Sequence, residues 1–179
     1  MIGRRSLLVA GAAAGLAALI PGVVRAAVPE AGARRLAFHN LHTGERLSTV
    51  YWADGGYLPD AMAEIDSLLR DHRTGDVAPI DARLLDLLHA LHGRIEADGP
   101  FHVISGYRSP RSNTLLRAKG GGGVAKRSLH MKGMAIDIRL PGRDTRDLHR
   151  AARSLKGGGV GYYRKSDFVH VDVGRVRYW

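Results

Sequence analysis

The chain has 179 residues, a formal net charge of +10, 45% apolar side chains and no cysteine. That length holds one compact domain with its own core and little besides. Without cysteine, disulfides and thiolate metal sites are excluded, so any bound metal must be held by imidazole and carboxylate groups.

The first segment stands apart from the rest. Arg4-Arg5 precede an apolar run from Leu7 to Ile20, followed by Pro21-Gly22 and a small-residue site at Val24-Arg25-Ala26. This is the order of an export signal, and the paired arginines make residues 1–26 resemble the twin-arginine type. The alternative is an uncleaved anchor, but Ala, Gly and Pro21 interrupt the run, which fits a span of about 20 strongly apolar residues poorly. The first 26 residues hold three arginines and no acid, so the remainder carries +7. A basic exported domain is drawn to anionic polymers such as cell-wall strands bearing acidic peptides, or to anionic lipid. Export argues against nucleic acid as a partner. The expected location is the periplasm, with the membrane and the twin-arginine machinery met only through the signal.

Residues 27–35, with Pro29, Gly32 and two arginines, read as a flexible lead-in to a domain over 36–179. Leu36–Phe38 and Leu47–Trp52 are β-prone, with a hairpin turn at Asn40–Gly44. Pro59-Asp60 opens a helix with Ala61, Ile65, Leu68 and Leu69 on one stripe. Asp81 caps a second helix bearing Leu84, Leu87, Leu88, Leu91 and Ile95 at spacings of three and four. A short strand, Phe101–Ile104, leads to Ser109-Pro110, a cap and first turn for a helix through Leu116. Gly120–Gly123 lacks the rest of a phosphate loop and reads as a surface loop. Met134–Leu140 alternates as a strand, Asp144–Leu155 reads as a helix, and Val160–Tyr163 with Phe168–Val173 form a terminal hairpin. Short strands mixed with helices predict a single α+β domain with a mainly antiparallel sheet and packed helices.

Two stretches carry the chemistry: Ser128-Leu-His130-Met-Lys-Gly133-Met-Ala135-Ile-Asp137 and Asp167-Phe-Val-His170. Alternation in the strands puts Met134, Ile136, Ile138 and Leu140 on one face and Asp137 on the other. In the last strand Val169, Val171 and Val173 oppose Phe168, His170 and Asp172. Neighbouring strands would bring Asp137 and His170 together, and a tight turn at Gly133 would return His130 over them. Two imidazoles and a carboxylate are the donor set of a catalytic zinc site with an open fourth position. In that arrangement Asp167 is the expected general base and Arg108 the positive partner of a developing oxyanion. Ser128 and Asp172 are expected to orient the ligand imidazoles. Taken singly, each residue has an ordinary structural reading: a hydrogen-bonded core histidine, an Asp137–Arg139 pair, an arginine pinning a loop. Their joint placement is what points to metal. His89 and His92, three apart on a leucine-rich helix, read as packing or surface residues. His39, His42, His72, His102 and His149 have no constellation around them.

Ser128-x-His130-x-x-Gly133-x-Ala135-x-Asp137 is similar to the signature of the LAS-type zinc peptidases, which include D-Ala-D-Ala carboxypeptidases and dipeptidases. Asp167-x-x-His170 resembles that family's second element, where an acid precedes the third zinc ligand; some members carry Glu there. Leu69–Gly75, Ile104–Pro110 and Gly158–His170 further resemble the YcbK-like murein endopeptidase branch, over nearly all of the chain after residue 35. Lys119–Val124 is more glycine-rich than that branch leads one to expect. The resemblance implies a LAS/Hedgehog-like architecture and one Zn2+ held by His130, Asp137 and His170. It implies Asp167 as base and Arg108 near the substrate carbonyl or carboxylate. It also implies hydrolysis of peptidoglycan peptide cross-links, including those between two diaminopimelate residues, during cell-wall remodelling. Within the resemblance the alternatives are a D,D- or L,D-carboxypeptidase trimming stem peptides and a catalytically silent peptidoglycan-binding protein.

The signal reading has its own test. Replacing Arg4 and Arg5 with lysine is expected to leave the precursor in the cytoplasm, followed by fractionation and immunoblotting. Normal export of that variant would assign the general secretory route.

Overall fold

The computed structural model describes residues 32–119 and 124–179. The expected signal at 1–26 and the glycine run at 120–123 lie outside the described residues, as does most of the expected lead-in. Eight strands and four helices follow in chain order: β1 (Arg34–Asn40), β2 (Arg46–Ala53), β3 (Gly56–Tyr57), α1 (Pro59–Leu68), α2 (Ala82–Arg94), β4 (Phe101–Ser105), α3 (Pro110–Ala118), β5 (Ala135–Arg139), α4 (Thr145–Leu155), β6 (Gly159–Tyr163), β7 (Phe168–Asp172) and β8 (Arg177–Tyr178). A 3-10 turn, Leu129–Lys132, precedes β5.

All eight strands form one sheet in the order β3-β2-β1-β4-β5-β7-β6-β8. Five neighbouring pairs are antiparallel, while β1–β4 and β6–β8 run parallel. The single α+β domain with a mainly antiparallel sheet is therefore present. The first strand starts at Arg34, inside the expected lead-in, because pairing with β2 extends to Arg34 opposite Trp52. The two-residue strands β3 and β8 were too short to carry a readable alternation.

Alternation divides the sheet into a core face and an outer face. Leu36, Phe38, Tyr51, Phe101, Val103, Ile136, Ile138, Val160, Val169 and Val171 are buried on the core face. They pack against Ile65 of α1, Leu84, Leu85, Leu88 and Leu91 of α2, and Leu148 and Ala152 of α4. Helix α2 presents its leucines at helical spacing, and Asp81 caps it by accepting a hydrogen bond from the Arg83 amide at 3.0 Å. Ser109 caps α3 and Asp144 caps α4 in the same way. No helix among the described residues is long and apolar enough to cross a membrane.

Two glycines join the helical layer to the segments that later form the site. Gly106 packs so closely on Leu69 that a Cβ would overlap the Leu69 carbonyl, and the Leu69 carbonyl accepts from the Tyr107 amide at 2.8 Å. Gly133 has a left-handed φ of 64°, abuts Pro79, and accepts through its carbonyl from the Asp81 amide at 3.0 Å. A side chain at Gly133 therefore meets both backbone strain and backbone overlap. Gly133→Ala is expected to cost about 2–5 kcal/mol, the sum of the left-handed penalty and local overpacking. Gly142, with φ of 76° but open space around it, meets only the first of these. Calorimetry should therefore find a clearly larger Tm loss for Gly133→Ala than for Gly142→Ala; equal losses would refute the close-approach argument.

Candidate metal centre

The register of β5 on β7 sets Asp137 directly opposite His170. The 3-10 turn ends at Gly133, whose left-handed backbone brings the preceding residues back across the sheet and carries His130 over the same spot. All three side chains are buried beneath the floor of a cleft of about 270 Å³. His130 Nε2 lies 3.2 Å from His170 Nδ1 and 3.3 Å from Asp137 Oδ1, and His170 Nδ1 lies 2.8 Å from Asp137 Oδ1. Ligand atoms about 2.1 Å from a tetrahedral ion stand roughly 3.4 Å apart, so this triangle is close to one face of such a site. It is the one group of three such residues that could hold a metal ion among the described residues.

What suits the triangle to a metal rather than to an ordinary polar cluster is the fate of the other ring nitrogens. His130 Nδ1 lies 2.8 Å from the Gly106 carbonyl, and His170 Nε2 lies 3.0 Å from Asp172 Oδ2. Each ring is thus fixed in the tautomer that leaves its inward nitrogen as a lone-pair donor, as metal-bound histidines require. Asp172 has no exposed surface. Its oxygens also accept from the Gly159 and Gly174 amides and from both terminal nitrogens of Arg177. Burial alone would raise its pKa, but His170, Arg177 and the two amides outweigh that and hold it well below the usual carboxylate range. Burial likewise acts to raise Asp137, and the two imidazoles overcome it, so Asp137 stays ionised. His170 is pulled down by burial and pushed up further by Asp137 and Asp172, with a net rise.

The other expected site residues are placed unevenly. Arg108 lines the cleft with its Nη2 3.7 Å from Asp137 Oδ2 and 3.5 Å from Ser105 Oγ, and its buried Nε has no partner. Burial lowers its pKa, with the Asp137 charge opposing; an arginine remains charged regardless. Asp172 lies against the His170 ring, 3.0 Å from its Nε2. Ser128 departs from expectation. It lines the cleft wall, but its side chain makes no hydrogen bond to His130, whose outer nitrogen goes to the Gly106 carbonyl instead. That partner is a backbone atom, invisible to a search over side-chain types.

Asp167 also departs from expectation. It adopts a left-handed φ of 51°, its side chain is 59% exposed, and its carboxylate accepts from Thr145 Oγ1 at 2.9 Å and Arg139 Nη1 at 3.3 Å. It is absent from the cleft lining, whose one described carboxylate is Asp137. The structure thus unites His130, Asp137, His170, Arg108 and Asp172 but leaves the Asp167 carboxylate turned away. Sequence reading missed the aromatic wall of Tyr163, Phe168 and Trp179. Trp179 stands 5.2 Å from the His170 ring and donates from its indole to the Tyr163 hydroxyl at 3.0 Å. Its place depends on the short β8, which no alternation pattern announced.

Comparison with known proteins identifies the family. The model of the M15_2 peptidase family, described as peptidoglycan L,D-endopeptidase MepK, matches residues 28–179. The chain belongs to this family. It is similar to the peptidoglycan L,D-endopeptidase MepK of Escherichia coli strain K12, with 40% identity over 98% of this chain and 96% of that protein. It is also similar to the probable peptidoglycan L,D-endopeptidase MepK of Haemophilus influenzae, with 39% identity over 98% of this chain and 94% of the relative. Residues 28–179 thus contain every member of the described site, and the family assignment rests on more than the signature that first drew notice.

Two variants separate holding the metal from aiming its ligands. His130→Ala or His170→Ala is expected to abolish stoichiometric metal binding while circular dichroism stays near that of the parent. Asp172→Asn keeps all three ligands and weakens the hold on the His170 ring, so metal affinity should fall by about 10–100-fold. Chelator competition measures both; parental affinity in Asp172→Asn would deny it the orienting role.

Proposed function

We propose that this protein is a zinc-dependent murein endopeptidase that hydrolyses peptide cross-links of peptidoglycan in the periplasm, including diaminopimelate–diaminopimelate links. The observation that carries the reading is the convergence of His130 Nε2, Asp137 Oδ1 and His170 Nδ1 in an open cleft, with both outer ring nitrogens tied to acceptors. The family and the names of the two relatives supply the bond type. Two nitrogens and one carboxylate oxygen suit zinc, with a fourth position left for water. Zinc bound there supplies a Lewis acid that makes water nucleophilic near neutral pH.

The protein's own groups do the rest. In hydrolysis the water oxygen bonds to the amide carbonyl carbon, the C–N bond breaks, and the leaving amine takes up a proton. Arg108, charged, buried and with an unpartnered Nε, is the group to hold the carbonyl oxygen as negative charge grows on it. Asp167 is the group proposed to take the water proton and return it to the amine. It is adjacent in sequence to Phe168, which lines the cleft, and its exposed pair with Arg139 is of a kind worth little in stability. A turn of its side chain away from Arg139 and Thr145 is therefore inexpensive. Tyr163, Phe168 and Trp179 offer an apolar wall to the aliphatic side chains of a stem peptide.

The decisive experiment is digestion of purified sacculi with zinc-loaded protein and identification of the released muropeptides. Conversion of cross-linked dimers to monomers is expected; removal of terminal residues without loss of cross-links would assign a carboxypeptidase instead. Less than about 0.1 zinc per chain after zinc titration would end the metallopeptidase reading. Asp167→Asn should retain zinc and lose at least the ~10²-fold in turnover that a general base typically contributes. Turnover within about threefold of the parent would remove Asp167 from the chemistry.

A further inference from the structure

The outer face of the sheet bears a feature that the cleft does not use. Strand register aligns Arg46 of β2 opposite His39 of β1, His39 beside His102 of β4, and His102 opposite Arg139 of β5. Four neighbouring strands thus contribute one basic group each to a single row. At about 4.8 Å per strand the row is roughly 14 Å long. Its inner end, Arg139, follows the metal ligand Asp137 by two residues on the same face of β5.

Several observations mark the row as more than a solvated surface. On the outer faces of β1, β2 and β4 the residues beside the row are exposed or half-buried; the buried Ser105 lies past a bulge in β4, opposite Asp137. Ala37, Val50 and Ile104 provide an apolar floor beside it. The two imidazoles meet edge-on, with His39 Nδ1 3.4 Å from His102 Nε2. Burial first, then His39, Arg139 and Arg46, disfavour a proton on His102. Arg46 faces His39 and Arg139 faces His102 across the sheet, so each imidazole lies beside a guanidinium that stays charged. The acids at hand leave the Arg46 end unpaired: Glu45, next to Arg46, pairs with Arg70, and Asp167 meets only the Arg139 end. Among the described residues Arg46 has no acidic partner.

We propose that this row is a substrate subsite that takes the free carboxylates of a peptidoglycan stem peptide lying across β5, β4, β1 and β2. It rests on the reading of the substrate given above. The cross-linked end of the peptide enters the cleft, and the carboxylates of the remainder meet Arg139, His102, His39 and Arg46 in turn. An extended chain advances about 3.4 Å per residue, so 14 Å accommodates about four residues, the scale of a stem peptide. A peptide laid along the row meets a guanidinium at each end and imidazole N–H donors between them, all groups that donate to carboxylates.

The test compares zinc-loaded parent, Arg46→Ala, Arg46→Lys and the double variant His39→Gln/His102→Gln. Each is titrated calorimetrically with a disaccharide stem peptide bearing free carboxylates and with the same compound amidated. The parent is expected to bind the free acid at least tenfold more tightly than the amide, and Arg46→Ala and the double variant to cut that preference to threefold or less. KM for cross-linked dimers should rise in step while kcat and zinc content hold, and Arg46→Lys should restore most of the preference. Parental preference in both the alanine and the double variant overturns the subsite, as does an equal loss of affinity for acid and amide. Loss of binding only to phosphatidylglycerol vesicles, with peptide affinity unchanged, overturns it in favour of a lipid contact. A parent that cleaves sacculi yet does not discriminate acid from amide removes the subsite and leaves the endopeptidase reading intact. A parent that neither cleaves nor binds peptidoglycan removes both.

Discussion

The arrangement depends on one buried carboxylate. Asp172 sits without solvent at the end of β7 and accepts hydrogen bonds from the ring of His170, two backbone amides and the guanidinium of Arg177. An unpaired carboxylate there would be very costly, so those partners must all be assembled for the fold to close. Gly159 belongs to β6, Gly174 to the turn after β7, and Arg177 to β8. A single charge therefore fixes the last three strands and, through His170, one corner of the triangle of His130, Asp137 and His170. Packing enforces the same geometry: at Gly158 and Gly159 a Cβ would run into the Asp172 backbone and side chain.

Much of this was legible in the sequence because the relevant patterns are local. The two-residue period of Met134–Leu140 and Phe168–Val173 announced an aliphatic face and a ligand face, and the strands pair in the register that this assignment needs. Asp81, Ser109 and Asp144 were readable as caps because an N-cap is a matter of residue type and spacing. Gly133 could be singled out because a glycine before a strand invites a turn.

What escaped reading was set by partners distant in the chain or by backbone atoms. The Gly106 carbonyl that orients His130 is 24 residues away and has no side chain to betray it. The parallel pairing of β1 with β4 joins segments some 60 residues apart, and it alone creates the row of basic groups on the outer face. His39 and His102 have nothing around them in sequence; only the register makes them neighbours. Asp167 shows a backbone conformation that spacing does not reveal. Its spacing to His170 suggested a role in the cleft, whereas the left-handed backbone at that position turns the carboxylate toward Thr145 and Arg139.

The stitching of Gly106 to Leu69 and of Gly133 to Asp81 has a further consequence. Both loops that deliver the ligand apparatus are fastened by main-chain hydrogen bonds to the helical layer, whose leucine core owes nothing to an ion. In small zinc modules the ion creates the fold, and stripping it unravels the chain. Here the two loops are tied to the helical layer by main-chain atoms, so those ties do not depend on a metal. For a metal held at the triangle, this arrangement lets loading and loss proceed on one folded chain rather than through unfolding.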